Sequence, residues 1–398
     1  MAVDRPFGIY IHFPFCGRRC PYCDFAIDVR AAIPHERYAQ AVCAELRARA
    51  AWFTAAPPAQ SQLVSLYFGG GTPALWRSDC VGEVIQTAME EFGALPAALA
   101  LEVTVEANPG EITLEHLSAL RGQGVNRVSF GVQSFDDGVL QAIGRSHNRQ
   151  QALASVALAR QAGFDNVSCD VMFGLPGQTM AVWEATLDTL VATQPDHISC
   201  YGLTVEPFTP FGQQEKQGLL ARPDDDAVAA MFQTAQSHLA AAGFLHYEVS
   251  SYARPGAQAV HNNLYWTQGS YLGVGCAAAS FRPLATGGGW RFINPRATET
   301  YLRAAERDGG RLAAAQVEWR DPESLEEEAL WLALRTSQGL DRLAHARLFG
   351  SDPLALPQRE AAARALQQAG WLVIDAARVA PTATGLLFAD EIATRLWV

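Results

Sequence analysis

The sequence predicts an α/β fold: a partial (β/α)6 barrel with a smaller C-terminal domain that is helical and winged-helix-like. Three observations carry this reading. Six short apolar strands alternate with helical stretches over the first 245 residues, the pattern of a parallel sheet built from right-handed βαβ units. Polar and glycine-rich residues gather just past the strand ends, where the active face of a β/α barrel lies. From about Pro322 the composition shifts to helices and a short hairpin. The chain therefore divides into a barrel (1–245), a connecting segment (246–320) and a C-terminal domain (321–398).

Each element follows from its local pattern. The first strand, 8–13, runs into Cys16-Gly17-Arg18-Arg19-Cys20-Pro21-Tyr22-Cys23. Helix formers such as Ala41, Leu46 and Ala48 mark a helix over 35–53, which Thr54-Ala55-Ala56-Pro57-Pro58 ends. The second strand, 63–68, closes on Gly69-Gly70-Gly71-Thr72-Pro73, and a helix follows at about 79–92. Strand 101–105 ends at Glu106-Ala107-Asn108-Pro109, and Thr113 caps a helix to Gly122. Strand 127–132 ends at Gln133-Ser134 and precedes helical stretches at 138–143 and 149–163. Strand 167–172 leads through Gly174-Leu175-Pro176-Gly177-Gln178-Thr179 into a helix to about Thr193. Strand 197–201 and a helix over 224–243 complete the alternation.

The break after Gly243 favours an open six-unit barrel over a closed eight-unit one. Residues 246–280 read as irregular and aromatic-rich, 285–290 as a glycine loop and 298–308 as a helix. The C-terminal domain reads as helices over 323–336, 340–348 and 356–370, a hairpin of 371–374 with 378–380, and a last helix over 383–396.

Composition narrows the function. With 49% hydrophobic and 18% charged residues, the 398-residue chain is globular. A net charge of −11 speaks against a nucleic-acid surface, and helix 356–370 sets only Arg359 and Arg364 against Glu360. The chain enters its first strand without a signal sequence. No stretch reaches the roughly 18–20 apolar residues of a membrane span. Five of the eight cysteines, Cys43, Cys80, Cys169, Cys200 and Cys276, fall in helix or strand patterns as small core residues. The expected setting is reduced and cytoplasmic.

The other three cysteines carry the chemistry. Three thiolates within eight residues fill a tetrahedral zinc site only if a distant residue supplies the fourth ligand. The same three can hold three irons of a [4Fe–4S] cube, which ordinarily uses four cysteines. The fourth iron is then open to a ligand that is not protein, such as the amino and carboxylate groups of S-adenosylmethionine. An electron from the cube cleaves its sulfonium bond, so the cofactor does the difficult chemistry and the protein orients it.

CxxxCxxC, GGGTP, EANP, GVQS, GRSH, FGLPGQT and HNNLYW, in this order, make the chain resemble the radical S-adenosylmethionine proteins related to oxygen-independent coproporphyrinogen III oxidase. Within that group it is most similar to the haem-chaperone branch, from about residue 8 to residue 396. The resemblance implies that Cys16, Cys20 and Cys23 ligate the cluster. It places Tyr10 beside the cofactor and Tyr22 near its adenine; alone, either aromatic reads as packing. It assigns Gly70, Gly71 and Thr72 to the loop whose backbone approaches the methionine end, where glycine leaves room. Glu106 would accept from the ammonium group and Arg145 would pair with the carboxylate. Gln133 and Asp170 would bind the ribose hydroxyls, as acidic strand-end residues do in dinucleotide sites.

Alone, His261-Asn262-Asn263-Leu264-Tyr265-Trp266 reads first as a structural histidine in an aromatic cluster. The resemblance makes His261 a ligand of haem iron, with Tyr265 and Trp266 against the porphyrin. Three departures count against oxidase activity: Phe25 replaces a further cysteine, about seven residues precede the first strand, and His261 replaces an arginine. The implied function is a protein that binds haem, a [4Fe–4S] cluster and S-adenosylmethionine and passes haem to haem-accepting proteins. The alternative is decarboxylation of coproporphyrinogen III or radical chemistry on another tetrapyrrole. Such delivery leaves room for peripheral membrane contact, although no amphipathic basic helix serves it.

Overall fold

The computed structural model describes residues 5–53, 61–93, 101–284, 288–311 and 315–397. The helix stop at 54–58 and residues 285–287 of the loop at 285–290 lie outside the described residues. Strand β1 (Arg5–Phe13) sets the architecture. Its Phe7, Ile9, Ile11 and Phe13 are buried in the main core, while the alternate residues Gly8, Tyr10 and His12 point into the barrel. Both faces are covered, as a parallel strand requires.

The chain continues through β2 (Phe15–Cys16) and β3 (Asp28–Val29), which pair across the cysteine loop. Then α1 (His35–Phe53), β4 (Ser61–Gly70), α2 (Ser78–Phe92), β5 (Glu102–Ala107), α3 (Leu114–Gly122) and β6 (Arg127–Gln133) follow. Next come α4 (Asp137–Ala142), α5 (Arg149–Gln161), β7 (Asn166–Phe173), α6 (Met180–Ala192), β8 (His197–Gly202), α7 (Pro210–Lys216) and α8 (Asp225–Ala241). Strands β1, β4, β5, β6, β7 and β8 lie side by side and parallel. Thr113, Thr179 and Asp224 cap their helices through side-chain oxygens, and Asn148 forms a full capping box with Gln151.

The connecting segment forms its expected helix over 298–308, but the stretches read as irregular or as a loop are where the expectation fails. It supplies β9 (Leu245–Glu248), β10 (Ser251–Ala253), α9 (Val260–Trp266), β11 (Ser270–Val274), β12 (Ala279–Pro283), β13 (Gly289–Ile293), α10 (Thr298–Asp308) and β14 (Gln316–Arg320). All six strands join the barrel sheet, in the order β14-β13-β12-β11-β1-β4-β5-β6-β7-β8-β10-β9. Only β11 is parallel to its barrel neighbour, pairing with the free side of β1; the rest are antiparallel. Strands of three to five residues, most of them joined with no helix between, leave no regular βα alternation to read.

Glu45 of α1 bolts this segment to the barrel. Fully buried, it accepts from Arg49 (2.7 Å), the Gly275 amide (2.9 Å), Asn294 (2.8 Å) and the Tyr301 hydroxyl (2.9 Å). Glu45→Ala strands all four donors, and a loss of about 3–5 kcal/mol is expected. A denaturant midpoint left unchanged would show that the network contributes no net stability.

The C-terminal domain contains α11 (Pro322–Ala333), β15 (Leu340–Asp341), α12 (Arg342–Phe349), α13 (Pro357–Gln368), β16 (Leu372–Ile374), β17 (Arg378–Pro381), α14 (Ala383–Leu387) and α15 (Ala389–Leu396). Its separate core gathers Leu330, Leu334, Leu366 and Ile392. The expected helix at 340 begins instead as β15, which widens the hairpin to three strands, and Asp341 caps α12. The last helix breaks at Phe388, whose ring stacks on Trp371 at 4.3 Å. Among the described residues no helix is long and apolar enough to cross a membrane.

Candidate functional site

The cysteine loop hangs from the end of β1. Cys16 closes β2, and the Cys23 amide donates to the Cys20 carbonyl (3.2 Å) in a turn. His12 fixes the far side of the loop: its Nε2 donates to the Ala26 carbonyl (2.9 Å), which leaves Nδ1 to accept from the Tyr10 hydroxyl (3.2 Å). The Gly71 amide reaches Phe13 O (2.7 Å) and the Thr72 amide Phe15 O (2.9 Å), zipping the GGGTP turn onto the stem of the loop. A Cβ on Gly71 would meet Phe15 O at 2.6 Å, and Gly70 has φ +113°, so neither position accepts a side chain.

Above the strand ends lies a cavity of about 480 Å³ lined by all three motif cysteines, Tyr22, Gly70, Gly71, Thr72, Glu106, Gln133, Arg145 and Asp170. A polar chain crosses it. Cys16 Sγ meets Thr72 Oγ1 (3.5 Å), Asn108 donates to Thr72 (2.9 Å), and Arg145 donates to Asn108 Oδ1 (2.5 Å) and to the Gly131 carbonyl (2.7 Å). Arg145 Nη1 also lies 3.8 Å from Cys20 Sγ, while its Nε is buried without a protein partner.

Burial sets the electrostatics. It pushes the Cys16 thiol up to about 11, against the opposing Thr72 hydrogen bond, and raises Cys23 as well. Glu106 accepts from the Tyr67 hydroxyl (2.8 Å) and the Gly70 amide (3.2 Å), yet burial carries its carboxyl up to about 7. Asp170 accepts from Ser129 (3.1 Å) and is likewise raised by burial. Gln133 ends β6 at φ +66°, beside a register shift, a strained conformation typical of functional positions.

This donor set fits an iron–sulfur cluster with an amino-acid ligand. Among the described residues no three His, Cys, Asp or Glu side chains converge on a single ion, whereas three thiols share one cavity wall. Arg145, with its orphan Nε, suits a carboxylate, and Glu106 suits an ammonium group.

Two expected residues lie elsewhere. Tyr10 is absent from the cavity wall and stands one layer deeper, stacked on Tyr67 at 6.1 Å. His261 is deeper still, 1% exposed, with Nδ1 bonded to Ser65 Oγ (2.8 Å) and Nε2 to the Tyr265 hydroxyl (2.8 Å). Neither nitrogen is open to iron here. Burial, then the Arg127 charge, pushes its pKa down to about 3, so the ring is neutral.

Two residues that matter were not singled out. Asn108 lay within the quoted EANP motif and joins Thr72 to Arg145. Tyr67 shares the strand parity of Gly69 and so points into the barrel, where its hydroxyl holds Glu106.

Residues 10–190 match the Radical SAM superfamily, and residues 321–388 match the HemN C-terminal domain. The heme chaperone HemW of Bacillus subtilis is 34% identical over 86% of either chain. That of Escherichia coli is 38% identical over 70% of this chain and 71% of its own. A radical S-adenosyl methionine domain-containing protein 1 of Mus musculus, described as mitochondrial, is 39% identical over 71% of this chain and 62% of its own. The solved structure of Escherichia coli coproporphyrinogen III oxidase, HemN, superposes with a TM-score of 0.81 over 99% of this chain and 90% of that one. At 23% identity, that likeness is one of fold.

Proposed function

Because the chain belongs to the HemW haem-chaperone family of the radical S-adenosylmethionine proteins, we propose that it carries a [4Fe–4S] cluster on Cys16, Cys20 and Cys23 and binds S-adenosylmethionine beside it. In the same proposal it holds haem as cargo, for transfer to haem-accepting proteins in the cytoplasm. The supporting observation is convergence: parts from the ends of six neighbouring strands, β1, β4, β5, β6, β7 and β8, line one cavity.

When bound, the cluster supplies one electron and one iron that no cysteine occupies. The chain's own residues bind and orient. Arg145 pairs with the cofactor's carboxylate, while Asn108 and the Gly131 carbonyl hold its guanidinium in place. Glu106 in its ionised form accepts an N–H of the cofactor's amino group. Gln133 and Asp170 bind the ribose hydroxyls, and Tyr22 flanks the adenine. Phe25, 65% exposed at the cavity mouth, offers an apolar surface where the oxidases carry a cysteine. That difference supports cargo handling over decarboxylation.

The test is anaerobic incubation of the reconstituted chain with S-adenosylmethionine, a reductant and coproporphyrinogen III, read by mass spectrometry beside a haemin titration. Haemin binding with no tetrapyrrole product is expected. Loss of two carboxyl groups from coproporphyrinogen III would make the protein an oxidase.

A further inference from the structure

The environment of His261 points away from iron and towards the cofactor pocket. The α9 helix that carries it plugs the floor of the barrel. Glu102 of β5 accepts from the Val260 and His261 amides, each at 3.0 Å, and Gly8 of β1 leaves just enough room, since a Cβ there would lie 2.7 Å from Leu264 and 2.8 Å from His261.

The same floor holds a second histidine in the same setting. His197 of β8 bonds Ser168 Oγ through Nδ1 (2.9 Å) and the Tyr247 hydroxyl through Nε2 (2.8 Å), and that hydroxyl accepts from the Ala259 amide at the start of α9 (3.4 Å). Both imidazoles are buried and kept neutral, and both feel the buried guanidinium of Arg127. A serine–histidine–tyrosine chain is thus how this barrel closes its floor on two sides.

One contact separates the two histidines. The His261 ring stacks on Tyr67 at 5.1 Å, and the Tyr67 hydroxyl donates to Glu106 at 2.8 Å. Tyr10 also stacks on Tyr67, at 6.1 Å, and its ring lies 6.3 Å from that of His261. We infer that His261 is a positioning residue: through Tyr67 it sets the position of Glu106 for the amino group of S-adenosylmethionine, and it does not ligate haem iron. The inference rests on the reading of Glu106 proposed above. The chemistry agrees with the geometry, because a ring bonded at both nitrogens has one fixed orientation and presents a fixed face to Tyr67.

The experiment uses the full, cluster-reconstituted chain as wild type, His261→Ala, His261→Gln and Tyr67→Phe. S-adenosylmethionine binding is measured by calorimetry from pH 6 to pH 9, and haemin binding by the Soret band. In His261→Ala the dissociation constant for S-adenosylmethionine is expected to rise about tenfold, the scale of one lost charge-assisted hydrogen bond. Tyr67→Phe should weaken binding by a similar factor, and adding His261→Ala to it should cost little more. His261→Gln, whose amide can still reach the Tyr265 hydroxyl, should recover most of the affinity. In both His261→Ala and Tyr67→Phe the pH midpoint of binding should move upward, since the Tyr67 hydroxyl holds the Glu106 carboxyl down; a merely structural role would not move it. The Soret band should stay as in wild type.

A Soret band lost in both His261 variants, with cofactor affinity intact, would make His261 the iron ligand and overturn the inference. Unchanged affinity and unchanged Soret band would reduce His261 to floor packing and overturn it too. A wild-type chain that fails to bind S-adenosylmethionine would instead remove the reading of Glu106 on which it rests. Should His261→Ala not fold, His261→Gln and Tyr67→Phe carry the test: wild-type affinity and an unmoved midpoint in Tyr67→Phe would overturn it.

Discussion

Cys20→Ser is expected to yield a folded protein that holds no stable iron–sulfur cluster after reconstitution, with iron and sulfide near background and the visible absorption gone. Cys20 is the most enclosed of the three motif cysteines, with the Arg145 guanidinium 3.8 Å and the Gly144 carbonyl 4.0 Å from its sulfur. Serine fills nearly the same space, so packing changes little, but a hydroxyl is a poor ligand for iron in sulfide surroundings. Losing one of three ligands leaves a cube held at two irons. The loss should be all but complete, and circular dichroism should be close to wild type. Iron retained at the wild-type stoichiometry would remove Cys20 from the ligand set. Cofactor affinity should fall with the cluster, because the open iron goes with it.

The second large effect is in pH. The Glu106 carboxyl stands at about 7 against an ordinary 4.5. Burial drives it up and Asp170 adds repulsion, while the Tyr67 hydroxyl, the Gly70 amide and the Arg127 charge pull it back. If the ionised form accepts from the amino group, S-adenosylmethionine binding is full above pH 7. It weakens as pH falls, approaching tenfold per unit. Glu106→Gln should bind about 10–100-fold more weakly at pH 8, the range for a lost hydrogen bond to a charged group, and its pH profile should be flat in this window.

Stability must run the other way. A carboxyl whose folded pKa is raised stabilises the protein below its unfolded value and loses that contribution as pH rises through the folded one. From about pH 4.5 to 7 the cofactor-free protein therefore gives up stability on account of Glu106. The N–H donors of the cofactor's amino group restore it, so the thermal shift on adding S-adenosylmethionine should be larger at pH 8 than at pH 6. Equal shifts at the two values, or a sloping Glu106→Gln profile, would remove Glu106 from this role.

The barrel was legible in the sequence because its parallel strands are continuous apolar runs and its helices carry explicit caps such as Thr113 and Asp224. The cavity residues were legible because barrels expose function at the C-terminal ends of their strands, where Gly70, Glu106 and Gln133 stand in the last two residues of β4, β5 and β6. What periodicity could not supply was pairing across the chain. Strand β10 has three residues, and its meaning lies in its bonds to β8 rather than in its own pattern. Depth was hidden for a related reason. Gly8 and Tyr10 share one face of β1, and nothing local says that both stand below the cavity rather than at its wall. The motif HNNLYW was visible as a motif, but the hydroxyls that occupy both nitrogens of His261 include Ser65, 196 positions earlier in the chain.

The place of β1 in the sheet also governs when the site can exist. Phe7 pairs with Leu63 on one side and with Ser270 on the other. A chain emerging from the ribosome delivers the three cysteines almost at once, yet the second neighbour of their parent strand arrives only after some two thirds of the protein has been made. Until then one edge of β1 is open, with the hazards of any unpaired hydrophobic strand, and the loop that will present the thiols hangs from a half-built wall. A cluster held by these three thiols would therefore be loaded only after β11 has been made: the cysteines are translated early, and the second edge of the strand that carries their loop arrives much later.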